Sequence, residues 1–450
     1  MGINSWHTQP LKELCTRIGD GLHGTPKYSD NSKIPFINGN NLKNGQILVT
    51  NNTNYVTEEE FERNFIKLDH NSLLLSINGT LGSMAFYNDE VIMLGKSAAY
   101  LNFKTDINRF YYYFFQLPGV QTYFYNVATG STIKNLSLKS IQDFEVPVPN
   151  KKDYEAIAKV LSDLDAKIEV NNKINAGLES MAKTLYDYWF VQFDFPFDFA
   201  QGKPNTQGKP YKSSGGKMVY NNELKREIPE GWESGTFETI STLIGGSTPS
   251  KAVDENFTTE KNMAWITPKD LSNNKGKKYI TRGEWDVTEL GIKSASLKIM
   301  PPNTVLLSSR APIGYLAISR EEVTTNQGFK SFVPKSYYPS EFIYYCVKNL
   351  IPEIEANSSG STFAEVSASS LKTIKISVPP KNVIEAYNEK AKPIFRNQNV
   401  LEQQNQELAE LRDWLLPMLM NGQVSVGAKQ YETKEESDLA KVAEGGVGYK

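Results

Sequence analysis

The residues of this chain that could do chemistry are polar side chains on short turns, and they suit hydrogen bonding better than catalysis. Asn38 and Asn40 share one turn, Asn78 lies on a second, and Arg310 lies on a third. Arg pairs with the edge of guanine, and Asn or Gln with the edge of adenine, through matched donors and acceptors. Lys, Ser and Thr commonly hold phosphates. These side chains therefore predict a surface that binds nucleic acid, with an ordinary polar turn as the alternative for each residue taken singly.

The predicted contact residues form two groups along the chain. The first group is Lys27, Asn38, Asn40, Lys43, Asn78, Thr80, Lys96, Ser131 and Thr132. The second group is Lys251, Thr267, Lys269, Ser309, Arg310, Asn326, Gln327, Lys330, Ser361 and Thr362.

Catalytic motifs are missing from the sequence. The three histidines, His7, His23 and His70, are not in a metal-ligand spacing, and no Gly-x-Ser-x-Gly elbow occurs. Neither Asn-Pro-Pro-Tyr nor Asp-Pro-Pro-Tyr, the adenine methyltransferase motifs, is present. The glycine-rich turn that ends at Gly21, matched by Gly246, is predicted to be structural. We therefore expect no catalytic residue, no metal and no cofactor in this chain.

The elements that must position these turns occur twice. Residues 130–149 and 360–379 share a Gly-Ser-Thr turn, a Leu-Ser or Val-Ser pair and a strand that ends in proline, at a constant offset of 230 residues. A repeat this long indicates a duplicated domain rather than a short solenoid period. Corresponding turns keep their frame but change their polar residues, as at Asn78 against Arg310. Two copies with the same scaffold and different contact residues should read two different half-sites.

A long helix is predicted after each copy. From about Asp153, and again from Val383 to Leu419, apolar residues alternate in steps of four and three. This heptad spacing predicts two paired helices, each of about 37 residues and roughly 55 Å. Pro393 is expected to kink the second helix or open its first turns, and two independent amphipathic helices are the alternative. The predicted seam is Leu161, Leu164, Ile168, Asn175, Leu178, Ile394, Leu401, Asn405, Leu408 and Leu415.

The composition is that of a globular protein with almost no net charge. The net charge of −2 over 450 residues argues against a stand-alone, non-specific nucleic-acid binder, which would be basic. It does not argue against a subunit whose partners supply most phosphate contacts. Neither a bilayer-spanning apolar run nor a secretory signal is found, and the two distant cysteines fit a reducing cytoplasm.

Shifts in composition divide the chain into six parts. The repeated Gln-Gly-Lys-Pro and the following Ser-Ser-Gly-Gly are expected to form no regular element, and the C-terminal end is charged and Gly-rich. We expect a first globular block at 1–150, a helical spacer at 151–193, a linker at 194–230, a second block at 231–380, a distal helical spacer at 381–425 and a disordered tail at 426–450.

The duplicated pattern resembles the specificity (S) subunit of a type I restriction-modification system, the HsdS-like family. The resemblance rests on Trp6 and Trp232, on the Gly-Ser-Thr turns with their Pro-bounded strands, and on the heptad helix that ends Leu-Tyr-Asp-Tyr-Trp-Phe at Phe190. The segment 208–218 and the phrase Ile-Pro-Glu-Gly-Trp at 228–232 are also typical of that family. It covers about residues 5 to 425.

The resemblance implies an α+β fold, with two duplicated globular α/β target recognition domains joined by two long antiparallel coiled-coil helices in a pseudo-two-fold arrangement. Each domain would read one half of a split duplex DNA target, and the helices would act as a ruler for the unread spacer. Two modification subunits, which carry S-adenosylmethionine and methylate adenine, would dock on this chain, and restriction subunits would add ATP- and Mg-dependent cleavage. The alternative is a protein-binding scaffold with duplicated interaction domains.

Overall fold

The computed structural model describes residues 6–198, 203–204, 208–310, 312–358 and 364–426. These residues form two compact units. Unit 1 combines the chain up to Lys167 with the residues from Leu408 onward, and unit 2 is Ile168–Glu407. The predicted contact residues Ser361 and Thr362 lie outside the described residues, as does the predicted disordered tail apart from residue 426.

Unit 1 is built on a four-stranded antiparallel sheet whose order is Cys15–Asp20, Ala98–Phe103, Ser72–Ser76 and Met84–Phe86. All residues of Ser72–Ser76 and Ala98–Phe103 are buried, because the central strands are covered on both faces, which favours continuous apolar runs over alternation. Smaller pairings join Ile34–Ile37 to Tyr55–Val56 and Met93–Leu94, His7–Pro10 to Glu145–Val148, and Leu42–Lys43 to Gln46–Ile47.

The helix Asn108–Phe114 of unit 1 is rich in aromatic residues and almost wholly buried. Phe110 and Tyr111 are completely buried against Leu73 and Leu101 of the sheet. Large aromatic side chains bury the most apolar area per residue, so this helix supplies much of the core. The remaining helices of unit 1 are Glu58–Arg63, Pro118–Val127 and Leu138–Gln142, with single 3-10 turns at Leu11–Glu13 and Gly39–Asn41.

Unit 2 repeats this plan. Its five-stranded sheet has the order Ser241–Gly245, Phe329–Pro334, Val305–Ser308, Leu316–Ser319 and Tyr279–Ile280, and a second sheet has the order Phe257–Thr258, Trp285–Val287, Met263–Ile266 and Val323–Thr325. Glu233–Thr236 pairs with Lys375–Val378, just as His7–Pro10 pairs with Glu145–Val148. The helices are Phe237–Ile240, Pro268–Asn273, Glu289–Ser294, Ser340–Asn349, Ile351–Ala356 and Ala368–Thr373, with a 3-10 turn at Asp254–Asn256.

The segment predicted to be a linker contains more regular structure than expected. Met218–Asn221 and Arg226–Pro229 form an antiparallel hairpin, and Phe197–Asp198 pairs with Lys203–Pro204, so a Gln-Gly-Lys-Pro repeat does enter a short strand. The side chain of Asn221 closes the hairpin turn by accepting hydrogen bonds from the backbone N–H groups of residues 223 and 224, both at 3.0 Å. Such an Asx turn is a local signal for a hairpin. The Gly-rich composition around it instead led to the prediction of an irregular linker.

The two long helices are Lys151–Tyr186, extended by a π turn at Asp187–Val191, and Lys381–Met420. The second helix begins at Lys381 and runs unbroken through Pro393, so its first turns are not opened as one of the two expectations had it. Pro393 is exposed, and the helix around it is secured by the buried residues Ala391 and Phe395, so tertiary packing overrides the local cost of proline.

The structure brings parts of the predicted seam together within each unit. In unit 1, Leu161 packs in one core with Leu416 and Leu419, and Asp165 forms an ion pair with Arg412 at 2.7 Å. Unit 2 pairs its helix segments in antiparallel order, with the Asn171 amide donating to Asn405 Oδ1 at 2.9 Å. None of the ten predicted seam residues is exposed. The heptad frame therefore marks the faces that meet.

Among the described residues, no helix has both the length and the apolar character needed to cross a membrane.

Candidate nucleic-acid interface

The predicted contact turns of unit 1 converge at one end of its sheets. The backbone N–H of Gly95 donates to Ile37 O at 2.8 Å, and that of Leu22 donates to Leu94 O at 2.8 Å, so three chain segments meet where their strands end. The approach requires glycine at position 21, because a Cβ there would lie 2.0 Å from Leu94 O. The glycine-rich turn therefore has the structural role that the sequence predicted.

Asn38 organises the first of these turns. Its Oδ1 accepts a hydrogen bond from Ser97 Oγ at 2.9 Å, and its backbone N–H donates to Asn41 Oδ1 at 3.0 Å. The backbone N–H of Gly39 also donates to Ser97 Oγ at 2.9 Å. The half-buried Asn38 thus holds the loop, while its exposed neighbour Asn40 projects into solvent.

Asn78 lies beside this turn at the end of the central strand. Its backbone pairs with Asn135 in an isolated antiparallel bridge, and the N–H of Leu136 donates to Ile77 O at 2.9 Å. The Asn78 amide forms no hydrogen bond with another described residue, and Thr80 is tied to Ser76 through their hydroxyls at 3.0 Å. We call turns 38–41, 77–82, 95–97 and 129–135 loop cluster 1.

The other predicted residues of the first group are exposed. Lys96, Ser131 and Thr132 belong to loop cluster 1. Lys27 lies outside it and approaches Glu59 at 3.8 Å, and Lys43 is on the short hairpin that follows the Asn38 turn. Loop cluster 1 therefore gathers seven residues of the group, namely Asn38, Asn40, Asn78, Thr80, Lys96, Ser131 and Thr132.

Unit 2 builds the same frame with the same backbone hydrogen bonds. Asn326 N–H donates to Ile266 O at 3.0 Å, Ser309 N–H to Gly328 O at 2.8 Å, and Val366 N–H to Ser309 O at 2.9 Å. Glycine is again required at the close approach, since a Cβ on Gly246 would lie 2.0 Å from Asn326 O. We call turns 267–270, 308–310, 326–328 and 364–366 loop cluster 2.

The side chains on this common frame differ between the units. Thr267 takes the place of Asn38, and its backbone N–H donates to Asp270 Oδ2 at 2.8 Å, as Asn38 does to Asn41. Gln327 takes the place of Lys96 and is hydrogen-bonded to the hydroxyl of Thr248. The nearby Lys269 forms an exposed ion pair with Glu284 at 2.6 Å. The frame is therefore conserved between copies while its exposed chemistry changes.

Arg310 takes the place of Asn78 and carries a charged network. Its Nε donates to Glu365 Oε2 at 3.0 Å, and its backbone pairs with Glu365 in the bridge that corresponds to that between Asn78 and Asn135. Lys330 Nζ lies 3.8 Å from the second oxygen of Glu365. Burial lowers the pKa of Lys330, and Glu365 partly offsets that effect. Two cations thus flank one carboxylate at the exposed edge.

One prediction in the second group differs from the structure. Ser309 is completely buried, which corrects its expected role as a contact residue. It occupies the inward position that Ile77 has in unit 1, and strand geometry then turns the next residue, Arg310, outward. Lys251 is exposed on the turn before Asp254–Asn256, and no described hydrogen bond joins its side chain to loop cluster 2.

Three residues of the loop clusters are not among those predicted from the sequence, namely Ser97, Asn135 and Glu365. The duplication carried a signal for the last two, because they occupy the same place before the repeated Leu-Ser and Val-Ser pairs, at the 230-residue offset. Ser97 gave no such signal, since only the folded chain brings it to Asn38.

A family model described as the type I restriction modification DNA specificity domain matches residues 4–180 and 229–410. The specificity subunit of type I restriction enzyme MjaIX from Methanocaldococcus jannaschii is 43% identical over 155 residues, which are 34% of this chain and 35% of that protein. That alignment therefore spans about a third of the relative. The HindI specificity subunit of Haemophilus influenzae is 26% identical over 334 residues, which are 65% of this chain and 72% of that protein.

A solved structure has the same fold. The crystal structure of the S subunit of a type I restriction-modification system from M. genitalium aligns with a TM-score of 0.59, covering 94% of this chain and 97% of that one. Its sequence identity is 17%, so the likeness concerns the fold alone.

Proposed function

Because this chain belongs to the family of type I restriction modification DNA specificity domains and carries two copies of that domain, we propose that it reads a bipartite duplex DNA target. Each copy, residues 1–150 and residues 231–380, reads one half-site through its loop cluster. The helical regions 151–193 and 381–425 set the length of the unread spacer.

One observation carries this proposal. The two loop clusters share their backbone frame, hydrogen bond by hydrogen bond, yet expose different side chains, as Asn78 and Arg310 do at equivalent positions. A duplicated interaction domain with a single type of partner would favour the same chemistry in both copies. Different hydrogen-bonding groups on one frame suit two ligands that share their geometry and differ in the groups they present. Two segments of duplex DNA are such ligands, because they share a backbone and differ in base sequence.

The chemistry of the complex is assigned to partners. Specificity subunits of this family generally carry no catalytic site, and among the described residues no group of three or more His, Cys, Asp or Glu side chains could hold a metal ion. Two modification subunits would bind S-adenosylmethionine and methylate adenine, and restriction subunits would use ATP and Mg to cleave. The assembled complex would act in the cytoplasm.

A binding selection tests the proposal. The chain is purified with its modification partner and allowed to select from random duplexes, first at low and then at raised salt. The expected product is two short base-specific blocks at a constant separation, with affinity that falls steeply with salt because phosphates are neutralised. One continuous block, or no sequence preference, would contradict bipartite reading. Absence of duplex binding at any salt would favour the protein-binding scaffold.

A further inference from the structure

The guanidinium of Arg310 is anchored at one end only. Its Nε donates to Glu365 at 3.0 Å, and its two terminal nitrogens form no hydrogen bond with another described residue. The side chain is 46% exposed and that of Glu365 is 38% exposed. Arginine has a planar fork, so one bond at Nε fixes the plane and leaves the two terminal N–H groups directed as a pair.

Glu365 is itself held from two sides. Besides its bond with Arg310, its Oε1 lies 3.8 Å from the Nζ of Lys330, and the Lys330 side chain is only 14% exposed. The backbone bridge between residues 310 and 365 further limits how far the carboxylate can move. An exposed ion pair contributes little to stability, so the fold does not explain why a charged pair replaces the Asn78 and Asn135 amides of unit 1.

We infer that Arg310, oriented by Glu365, selects a G·C base pair in the half-site read by unit 2. The inference rests on the proposed function. Arg310 is the specificity-determining residue, and Glu365 is a positioning residue that acts through it.

Recognition of the base follows from donor and acceptor geometry in the major groove. Guanine presents two adjacent acceptors, O6 and N7, which match two parallel N–H donors of arginine. Adenine would instead place its N6 donor against the guanidinium donors. The fork of Arg310 therefore favours a G·C base pair.

The test is a binding selection with the chain and its modification partner, comparing wild type with Arg310→Ala, Arg310→Lys and Glu365→Gln. Arg310→Ala should reduce the preference for G·C at one position of one half-site by about 5- to 150-fold and leave the other half-site unchanged. Arg310→Lys should lose most of that preference although it keeps the charge, because lysine lacks the fork. Glu365→Gln should cause a smaller loss at the same position.

Arg63→Ala is the matched control. Arg63 is also an exposed arginine, paired with Glu59 at 2.8 Å, but it lies on the helix Glu58–Arg63, outside loop cluster 1. This variant should leave base preference unchanged at every position. The unfolding midpoint of each variant should equal that of the wild type, which separates a loss of recognition from a loss of folding.

The results distinguish this inference from the proposed function. A wild-type complex that selects no two-block target would remove the proposed function itself. A normal two-block target with G·C preference unchanged in Arg310→Ala would overturn only the assignment of Arg310. If Arg310→Ala lost affinity equally for all DNA sequences and Arg310→Lys kept that affinity, Arg310 would be a phosphate contact. That result would also overturn base selection by Arg310.

Discussion

Replacing Lys278 by Met should destabilise unit 2 by about 3 kcal/mol, because it breaks a buried ion pair from one side only. The Lys278 ammonium lies 2.8 Å from Glu179 Oε2, 2.7 Å from Gln398 Oε1 and 3.0 Å from the hydroxyl of Tyr345. It also lies 3.8 Å from the centre of the Phe395 ring. One side chain therefore joins both long helices to the globular part of unit 2.

The magnitude follows from burial. The Lys278 side chain is 3% exposed, and burial lowers its pKa to about 8, so it is still largely protonated at neutral pH. Loss of one partner from a buried pair costs about 3–5 kcal/mol. The lower end applies because Glu179 keeps an ion pair with Lys348 at 2.7 Å. Met preserves much of the aliphatic stem, so the change tests charge rather than volume.

Urea unfolding at neutral pH measures the effect. Lys217→Met is the matched control, because Lys217 is as close to Glu230 (2.6 Å) but is 70% exposed, and it should change stability much less. Glu179→Gln combined with Lys278→Met should cost less than the sum of the single changes, with a coupling of about 0.5–3 kcal/mol. Additive single changes, or a Lys278 effect no larger than that of the control, would refute the reasoning.

Four further predictions concern the same framework. Burial opposes ionisation of Glu179, but nearby lysines outweigh it and hold its pKa at about 2 against an ordinary 4.5. The stability that this carboxylate contributes is therefore complete above pH 4.5 and is lost as the pH falls towards 2. Acid unfolding of Glu179→Gln should lack that loss. Asn405→Leu leaves the fully buried Asn171 without its 2.9 Å partner and should lower the free energy of unfolding by about 1–3 kcal/mol in urea. Leucine at both positions should be nearly neutral. A double variant as unstable as Asn405→Leu would contradict this prediction. Asn78→Ala should weaken base selection in the first half-site only, and equal weakening of both halves in a binding selection would exclude the assignment. Insertion of one heptad into each long helix adds about 10 Å and should widen the unread spacer by about three base pairs of 3.4 Å. A spacer of unchanged length in methylation mapping would show that the helices do not set it.

The sequence by itself determined the repeated plan of this protein and the local form of its elements. The heptad frame predicted the two long helices, which the structure has at Lys151–Tyr186 and Lys381–Met420. It is a periodic signal, which depends on neighbours three or four positions away along the chain and so survives in one sequence. The duplication also places Asn78 and Arg310 at equivalent positions, because both follow the same apolar strand in their copies of the repeat.

Only the tertiary structure decided which side chains meet. The repeat matches Asn405 with Asn175, but in the folded chain Asn405 bonds to Asn171 and Asn172 instead. An antiparallel pair brings together residues whose numbers run in opposite directions, whereas a repeat compares residues at a fixed offset. Equivalence in sequence and contact in space are therefore different relations.

The contacts of Lys278 and Glu365 have the same character. Lys278 is 120 residues from Gln398, and Glu365 is 55 residues from Arg310. No local pattern encodes a contact across such separations, because it depends on how the intervening chain closes its loops. The sequence names Arg310 as a side chain able to recognise a base, and its duplication marks the position of Glu365. Only the fold shows the hydrogen bond that joins the two side chains.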